Sequence, residues 1–178
     1  VTGKRRRPWL FKMVLGYSRH SYHEAVWHQT AEAFIRCQEN ALRYFGGVVR
    51  LVRLDNLKAG ILKGGWYDIE TNPLYQAFAQ HYGFAIIPHR PRQPWIKGKV
   101  ESGVGHSQRA VAGKNFTSLE EENEYLRWWN DKIASQRIHG STKRQVWEMF
   151  TSDERAALQP LPAEAFGMFR CGERTVHP

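Results

Sequence analysis

Apolar residues recur along this chain with two different periods, and the changes of period mark its elements. Trp9 to Leu15 is an almost continuous apolar run, and Ser21 to Trp27 alternates in character, with Gly16-Tyr17-Ser18-Arg19 between them. Two such runs around a short polar turn predict an antiparallel hairpin. Thr30 then precedes Phe34, Ile35, Gln38, Ala41, Leu42 and Phe45 at helical spacing, and Gly46-Gly47 follows. That pattern predicts a helix capped by Thr30 and stopped at the glycines. Val48 to Leu54 reads as a buried strand. Asn72-Pro73 opens a second helix with Leu74, Tyr75, Phe78, Ala79 and Tyr82 on its apolar face, and Gly83 ends it. Phe84 to Ile87 is a short strand closed by Pro88. A strand, helix, strand order of this length implies a parallel pair.

Beyond it, Pro88 to Trp95 carries three prolines and reads as a loop, and a helix is expected from near Lys97 to about Ala112. Ser118 and Glu121 form a capping-box pattern for a further helix, with Leu119, Leu126, Trp129 and Ile133 expected to face inward. Thr142 to Phe150 reads as a short helix, Pro160-Leu161-Pro162 as a linker, and Ala165 to Arg170 as the start of a strand. The elements combine into an α/β fold, a mixed sheet flanked by helices. Thr2-Gly3-Lys4-Arg5-Arg6 has the character of a turn joining an earlier strand to Trp9, so the first strand is expected to be missing or truncated. A start at Val1 rather than Met fits a fragment.

Composition narrows the partners more than the fold. A length of 178 residues with 42% hydrophobic content and seven tryptophans suffices for a buried core. The formal net charge of +9 favours nucleic acid as partner, against a bland basic protein with a solvated charged face. Cys37 falls in a helical pattern and Cys171 stands far away, so neither a disulfide framework nor a zinc site is implied. No apolar stretch reaches bilayer-spanning length. Lys4-Arg5-Arg6-Arg7 runs into Pro8 and a strand-like segment, unlike a signal peptide. A cytoplasmic location is expected, with no membrane partner.

Two acids stand out by isolation. Asp55 is the only carboxylate between Asn40 and Tyr67, and Glu101 the only one between Thr71 and Leu119. Asp55 ends the strand-like run and is followed by Asn56, which either orients it or closes the turn. Glu101 follows Arg90, Arg92, Lys97 and Lys99. Isolated hard oxygen donors in a basic field suit divalent cations held against nucleic-acid phosphate. The rival readings are an Asp that merely closes a turn and a solvated helix carboxylate balancing Lys97 and Lys99. Gly98 and Gly105 flank Glu101 about one turn away, leaving room for a nucleic-acid backbone. Trp95 either stacks on a base or anchors its loop. His23-Glu24-Ala25-Val26-Trp27-His28 has one residue too many for a zinc-protease motif and falls on a strand. Ser18, His20 and Asp55 lack a nucleophile elbow, and Ser18 is expected to cap the hairpin turn. His139 is expected to pack with Asn130 and Arg137.

The strings Leu15-Gly16-Tyr17-Ser18-Arg19, Asp55-Asn56-Leu57-Lys58, His81-Tyr82-Gly83-Phe84 and Lys97-Gly98-Lys99-Val100-Glu101, with Asn130, Arg137 and His139-Gly140 later, occur in order. Over roughly residues 9 to 160 this chain resembles the IstA-type transposases of the insertion sequence 21 family, within the DDE transposases and retroviral integrases. The resemblance implies a ribonuclease H-like catalytic core at 1–135, a helical extension at 136–160, and a linker with the truncated start of a β-barrel domain at 161–178. It implies a triad of carboxylates, here Asp55, Glu101 and an Asp upstream of Val1, holding two Mg²⁺ or Mn²⁺ ions. No residue of the chain matches that first Asp; Asp68 falls in a loop, so the fragment alone is expected to be inactive. Implied partners are transposon-end and target DNA, further copies in a multimer, and the AAA+ ATPase IstB. One departure is plain: retroviral integrases carry lysines one and two turns after the Glu, where this chain has Gly105 and Gln108. The expected function is metal-dependent DNA cleavage and strand transfer. A catalytically silent DNA-binding module of the same fold, or a ribonuclease H-like nuclease, stands as the alternative.

Overall fold

A computed structural model describes residues 6–54, 72–87 and 110–169. The hairpin forms as expected. β1 (Trp9–Val14) and β2 (Ser21–Val26) pair antiparallel, from Trp9 opposite Val26 to Val14 opposite Ser21. Leu15 N–H donates to the His20 carbonyl at 2.9 Å and closes the turn, where Ser18 Oγ accepts from His20 N–H at 3.0 Å.

Strand alternation sends the two faces of the hairpin to different partners. Phe11, Met13, Tyr22 and Glu24 face α1 (Ala31–Phe45): the Phe11 and Phe34 rings meet edge-on at 5.6 Å, and Asn40 Nδ2 donates to Glu24 at 3.1 Å. Thr30 Oγ1 caps that helix by accepting from Ala33 N–H, and Gly46 ends it at φ +75. Leu10, His23 and Ala25 face the other way, toward α3 (Leu119–Trp129). The hairpin is thus a middle layer.

α2 (Pro73–Tyr82) begins as read, with Asn72 Oδ1 accepting from Leu74 and Tyr75 N–H, and ends at Gly83. It packs on α1 through Tyr75 Oη, which donates to Gln38 Oε1 at 3.0 Å, and Tyr82 Oη, which donates to Glu39 Oε1 at 2.6 Å. β3 (Leu51–Arg53) and β4 (Ala85–Ile87) pair parallel, Leu51 opposite Ala85 and Arg53 opposite Ile87. Among the described residues no ladder joins this pair to the hairpin.

Four expectations need correction. β3 is shorter than Val48–Leu54 because Val48 spends its backbone on Gln159 instead, exchanging two 2.8 Å hydrogen bonds with it. Ile133 is exposed, not inward. After α3 the chain makes a π turn over Asn130–Ala134, with Ser135 N–H reaching the Asn130 carbonyl. The extra residue in that turn sets the apolar stripe back by one position, so Ala134 is buried in its place. The helix expected over Thr142–Phe150 starts only at α4 (Val146–Met149), because Ile138 and Gln145 bridge across a tight turn before it. A second π turn (Phe150–Glu154) and a 3-10 turn (Arg155–Ala157) continue it. Lastly, residues 165–169 form no strand. Leu158, Leu161 and Phe166 pack back onto the core, Phe166 edge-on to Phe78 at 5.4 Å, and Phe166 N–H donates to Glu39 Oε1.

The capping box is also modified. Ser118 Oγ accepts from Glu121 N–H, but the Glu121 carboxylate takes both the hydroxyl and the N–H of Thr117 at 2.6 Å. These bonds hold its carboxyl below the usual carboxylate range.

His20 is the polar member of an aromatic core, buried among Tyr44, Phe45, Trp147 and Phe150. Burial lowers its pKa to about 4, against smaller opposing effects of Asp131 and Glu154. The unfolded chain therefore takes up this proton first as pH falls. Stability is full above about pH 6.5 and is lost between there and about pH 4, by on the order of 2–3 kcal/mol. In urea titrations across that window, His20→Gln should lose correspondingly less than the parent; equal losses would mean His20 is not the group responsible.

Gly47 is required by close approach. A Cβ there would sit 2.7 Å from Leu158 Cβ and 2.8 Å from the Gln159 carbonyl oxygen. Gly47→Ala should push the 158–159 segment away and cost about 1–3 kcal/mol. Amide exchange at Val48 and Gln159 would report it; unchanged protection there would contradict the tight docking.

Candidate active site

Parallel pairing fixes one geometric fact about chemistry in this chain: β3 and β4 deliver their carboxyl ends to the same end of the ladder. Arg53 lies opposite Ile87 there, and the side chain of Leu54 turns into the core. The crevice beyond the carboxyl ends of parallel strands is where ligands bind in open α/β sheets. Every residue expected to act in the site, Asp55, Asn56, Arg90, Arg92, Lys97, Lys99 and Glu101, lies outside the described residues. So do Asp68, Trp95, Gly98, Gly105 and Gln108.

The described chain resumes at Ala110, which is helical, as expected for the end of the helix predicted from Lys97. Ala110 is fully buried against Ala25, Leu126, Trp129 and Ala134, and Gly113 follows at φ +73. Ala110 is therefore seated between β2 and α3.

Two asparagines hold that seat in place. Asn123 Oδ1 accepts from Ala25 N–H at 2.7 Å, and its Nδ2 donates to the Ala25 carbonyl at 3.0 Å. Two turns later Asn130 Nδ2 donates to the His23 carbonyl, and Asn130 Oδ1 lies 2.6 Å from His23 Nδ1. An amide oxygen only accepts, so Nδ1 carries the proton of His23. The two amides thus act as a substitute strand along the edge of β2. Sequence reasoning missed Asn123. The signal was available as two Asn residues seven apart, on one face of the helix.

Other expectations resolve here. His139 does not meet Asn130; its Nδ1 faces Thr142 N–H at 3.2 Å, while Asn130 is committed to His23. Arg137 donates instead to the Arg19 carbonyl at 2.9 Å. His23 is buried and His28 exposed, which disposes of the zinc-protease pattern. Among the described residues no group of three or more His, Cys, Asp or Glu could hold a metal ion. Nor is any described helix long and apolar enough to cross a membrane.

The comparisons agree with this architecture. Residues 1–94 match the integrase core domain model. The chain is 33% identical over 170 residues to y4uI of Sinorhizobium fredii, provisionally named a transposase, covering 92% of this chain and 32% of that protein. It is 33% identical over 168 residues to the transposase for insertion sequence element IS21 of Pseudomonas aeruginosa, covering 93% and 43%. A chain of the simian T-cell lymphotropic virus intasome complex with PP2A regulatory subunit B56 gamma superposes with a TM-score of 0.60 at 16% identity, over 93% of this chain and 54% of that one. The chain belongs to the integrase core domain family, and its fold is ribonuclease H-like. Its kinship with the insertion sequence 21 transposases is shown as well. It spans about a third to under half the length of these curated relatives.

Asn130 is fully buried with both amide atoms engaged, so Asn130→Ala removes two buried hydrogen bonds to His23 and should cost about 2–4 kcal/mol, with Asn123→Ala nearer 1–2. Chemical denaturation measures both; a loss under about 0.5 kcal/mol for Asn130→Ala would refute the edge-strand role.

Proposed function

We propose that this chain is the core of a DNA transposase whose longer form cleaves element ends and joins them to target DNA. The observation that carries the reading is the parallel pairing of β3 with β4. Chain connectivity keeps Asp55 within two residues of Arg53, and the segment bearing Arg90, Arg92, Lys97, Lys99 and Glu101 starts one residue after Ile87. Both acids would then lie in segments that leave one end of the ladder, as carboxylates must if they are to share cations. The family and the transposase relatives support the same reading.

Asp55 and Glu101 would hold Mg²⁺ or Mn²⁺, for which two carboxylates are a suitable hard donor set. Such cations, when bound, supply an activated hydroxyl and neutralise charge on the phosphodiester. Asn56 would orient Asp55, and Arg90, Arg92, Lys97 and Lys99 would grip DNA phosphates without reading bases. A third carboxylate would come from a strand outside this sequence; a strand between the two ladders, which nothing joins among the described residues, would place it beside Asp55. On this reading the chain alone is inactive. Residues 1–135 form the catalytic core, 136–160 extend it with helices, and 161–178 lead toward a further barrel domain. The working protein is a cytoplasmic bacterial multimer on paired element ends, assisted by the AAA+ ATPase IstB.

Asp55→Asn and Glu101→Gln in the full-length protein should each reduce cleavage of element-end DNA in Mg²⁺ by at least about a thousandfold, roughly 4 kcal/mol of barrier. Thermal stability and end binding should change little. Substantial cleavage by either variant would sink the assignment. Products hydrolysed but never joined would indicate a nuclease instead.

A further inference from the structure

Several basic side chains gather around the turn that joins β1 to β2. The β1–β2 turn holds Arg19 at φ +65, and its carbonyl accepts from Arg137 Nη2 at 2.9 Å. Two residues beyond Arg137, His139 is closed into a turn: its N–H donates to the Arg144 carbonyl at 2.8 Å, and its carbonyl accepts from Lys143 N–H at 2.9 Å. Lys143 is exposed on that turn at φ +58. Two distant parts of the chain thus bring Arg19, Arg137, His139 and Lys143 together.

The charges act on one another. Burial, then the field of Arg137, lowers the pKa of Lys12 on β1 to about 8. Burial and then Arg19 and Arg137 push His139 downward, and burial and then Arg19 push Arg137 downward. Among the described residues Arg19, Arg137 and Lys143 make no ion pair with a carboxylate. Two acids share this turn without pairing to Arg19, Arg137 or Lys143. Glu154 accepts from Tyr17 and Ser18 N–H at 3.0 and 2.9 Å, and Asp153 accepts from Tyr17 Oη and Arg144. The guanidinium and ammonium groups of Arg19, Arg137 and Lys143, held in no ion pair among the described residues, remain able to meet an external anion. Guanidinium forks match the paired oxygens of a phosphodiester better than an ammonium does. Spread over two turns rather than enclosed in a cavity, the group suits a polyanion rather than a small ion.

We propose that Arg19, Arg137, His139 and Lys143 form a second DNA-phosphate contact surface, separate in sequence from the basic stretch of Arg90, Arg92, Lys97 and Lys99. It rests on the reading of the chain as a transposase core. The surface grips the duplex backbone and carries no base preference.

The test uses the full-length protein and a fluorescent duplex of random sequence, with anisotropy read from 50 to 300 mM salt. Each lost phosphate contact lowers the slope of log affinity against log salt by about 0.9, or roughly tenfold in affinity near 0.1 M. The Arg19→Gln, Lys143→Gln double variant should lower the slope by about 1.8. Lys143→Gln alone, at an exposed position that does not threaten folding, should lower it by about 0.9. A charge-matched pair on other elements, Arg36→Gln on α1 with Arg127→Gln on α3, should leave it unchanged. Patch variants with the parental slope would overturn the proposal while leaving the transposase reading standing, and would turn attention to an acidic protein partner. An equal drop in the charge-matched pair would overturn it too. A parent protein without salt-dependent duplex binding would overturn both.

Discussion

Parallel strands cannot be joined by a tight turn; the chain must cross over and return to the same starting end. Here the crossover runs from Leu54 through α2 to Ala85, and the apolar face of α2 that makes it possible is buried: Leu74, Tyr75, Phe78, Ala79 and Tyr82 all lie in the core. The cost of that crossover is met by packing against α1 and Phe84 rather than by three residue pairs of ladder. Once it forms, the chain leaves both strands at one end. The proposed convergence of Asp55 and Glu101 depends on that constraint.

Everything else in the described structure steadies that arrangement. Burial on both faces fixes the hairpin's register, because a one-residue slip would exchange the residues facing α1 with those facing α3. Asn123 and Asn130 close the edge of β2 and at the same time fasten α3, against which Ala110 is seated. Glu39 works similarly on the opposite side. Its carboxylate receives Tyr82, Arg43 and the Phe166 N–H, tying α1, α2 and the late segment together. The segment after Pro160 is thereby part of the core's surface, a role that its proline-rich composition conceals.

Elements whose stability is local were legible in the sequence. Thr30, Asn72 and Ser118 cap helices because a side-chain oxygen reaches an N–H two or three residues on, and Gly46 and Gly83 end helices because only glycine takes that conformation cheaply. What depends on distant partners was not legible. Val48 bonds to Gln159, Phe166 to Glu39 and Asn130 to His23, and no local pattern announces such pairings. The π turn misled for a different reason: Ile133 fits the helical period, but one extra residue in the turn rotates it to solvent. For the site, isolation of the two acids and the order of the motifs were readable; the family those motifs suggested is shown, while both acids lie outside the described residues. The basic patch at Arg19 and Arg137 was not, since its members meet only through the β1–β2 turn.

The central claim is that Asp55 and Glu101 converge on shared cations at the carboxyl end of β3. Anomalous diffraction from crystals of the full-length protein on element-end DNA, soaked in Mn²⁺, tests it directly. The account predicts a manganese peak within about 2.2 Å of carboxylate oxygens from both residues, on the Arg53 side of the β3–β4 ladder. A manganese site built from other carboxylates, with Asp55 or Glu101 turned away from it, would contradict it.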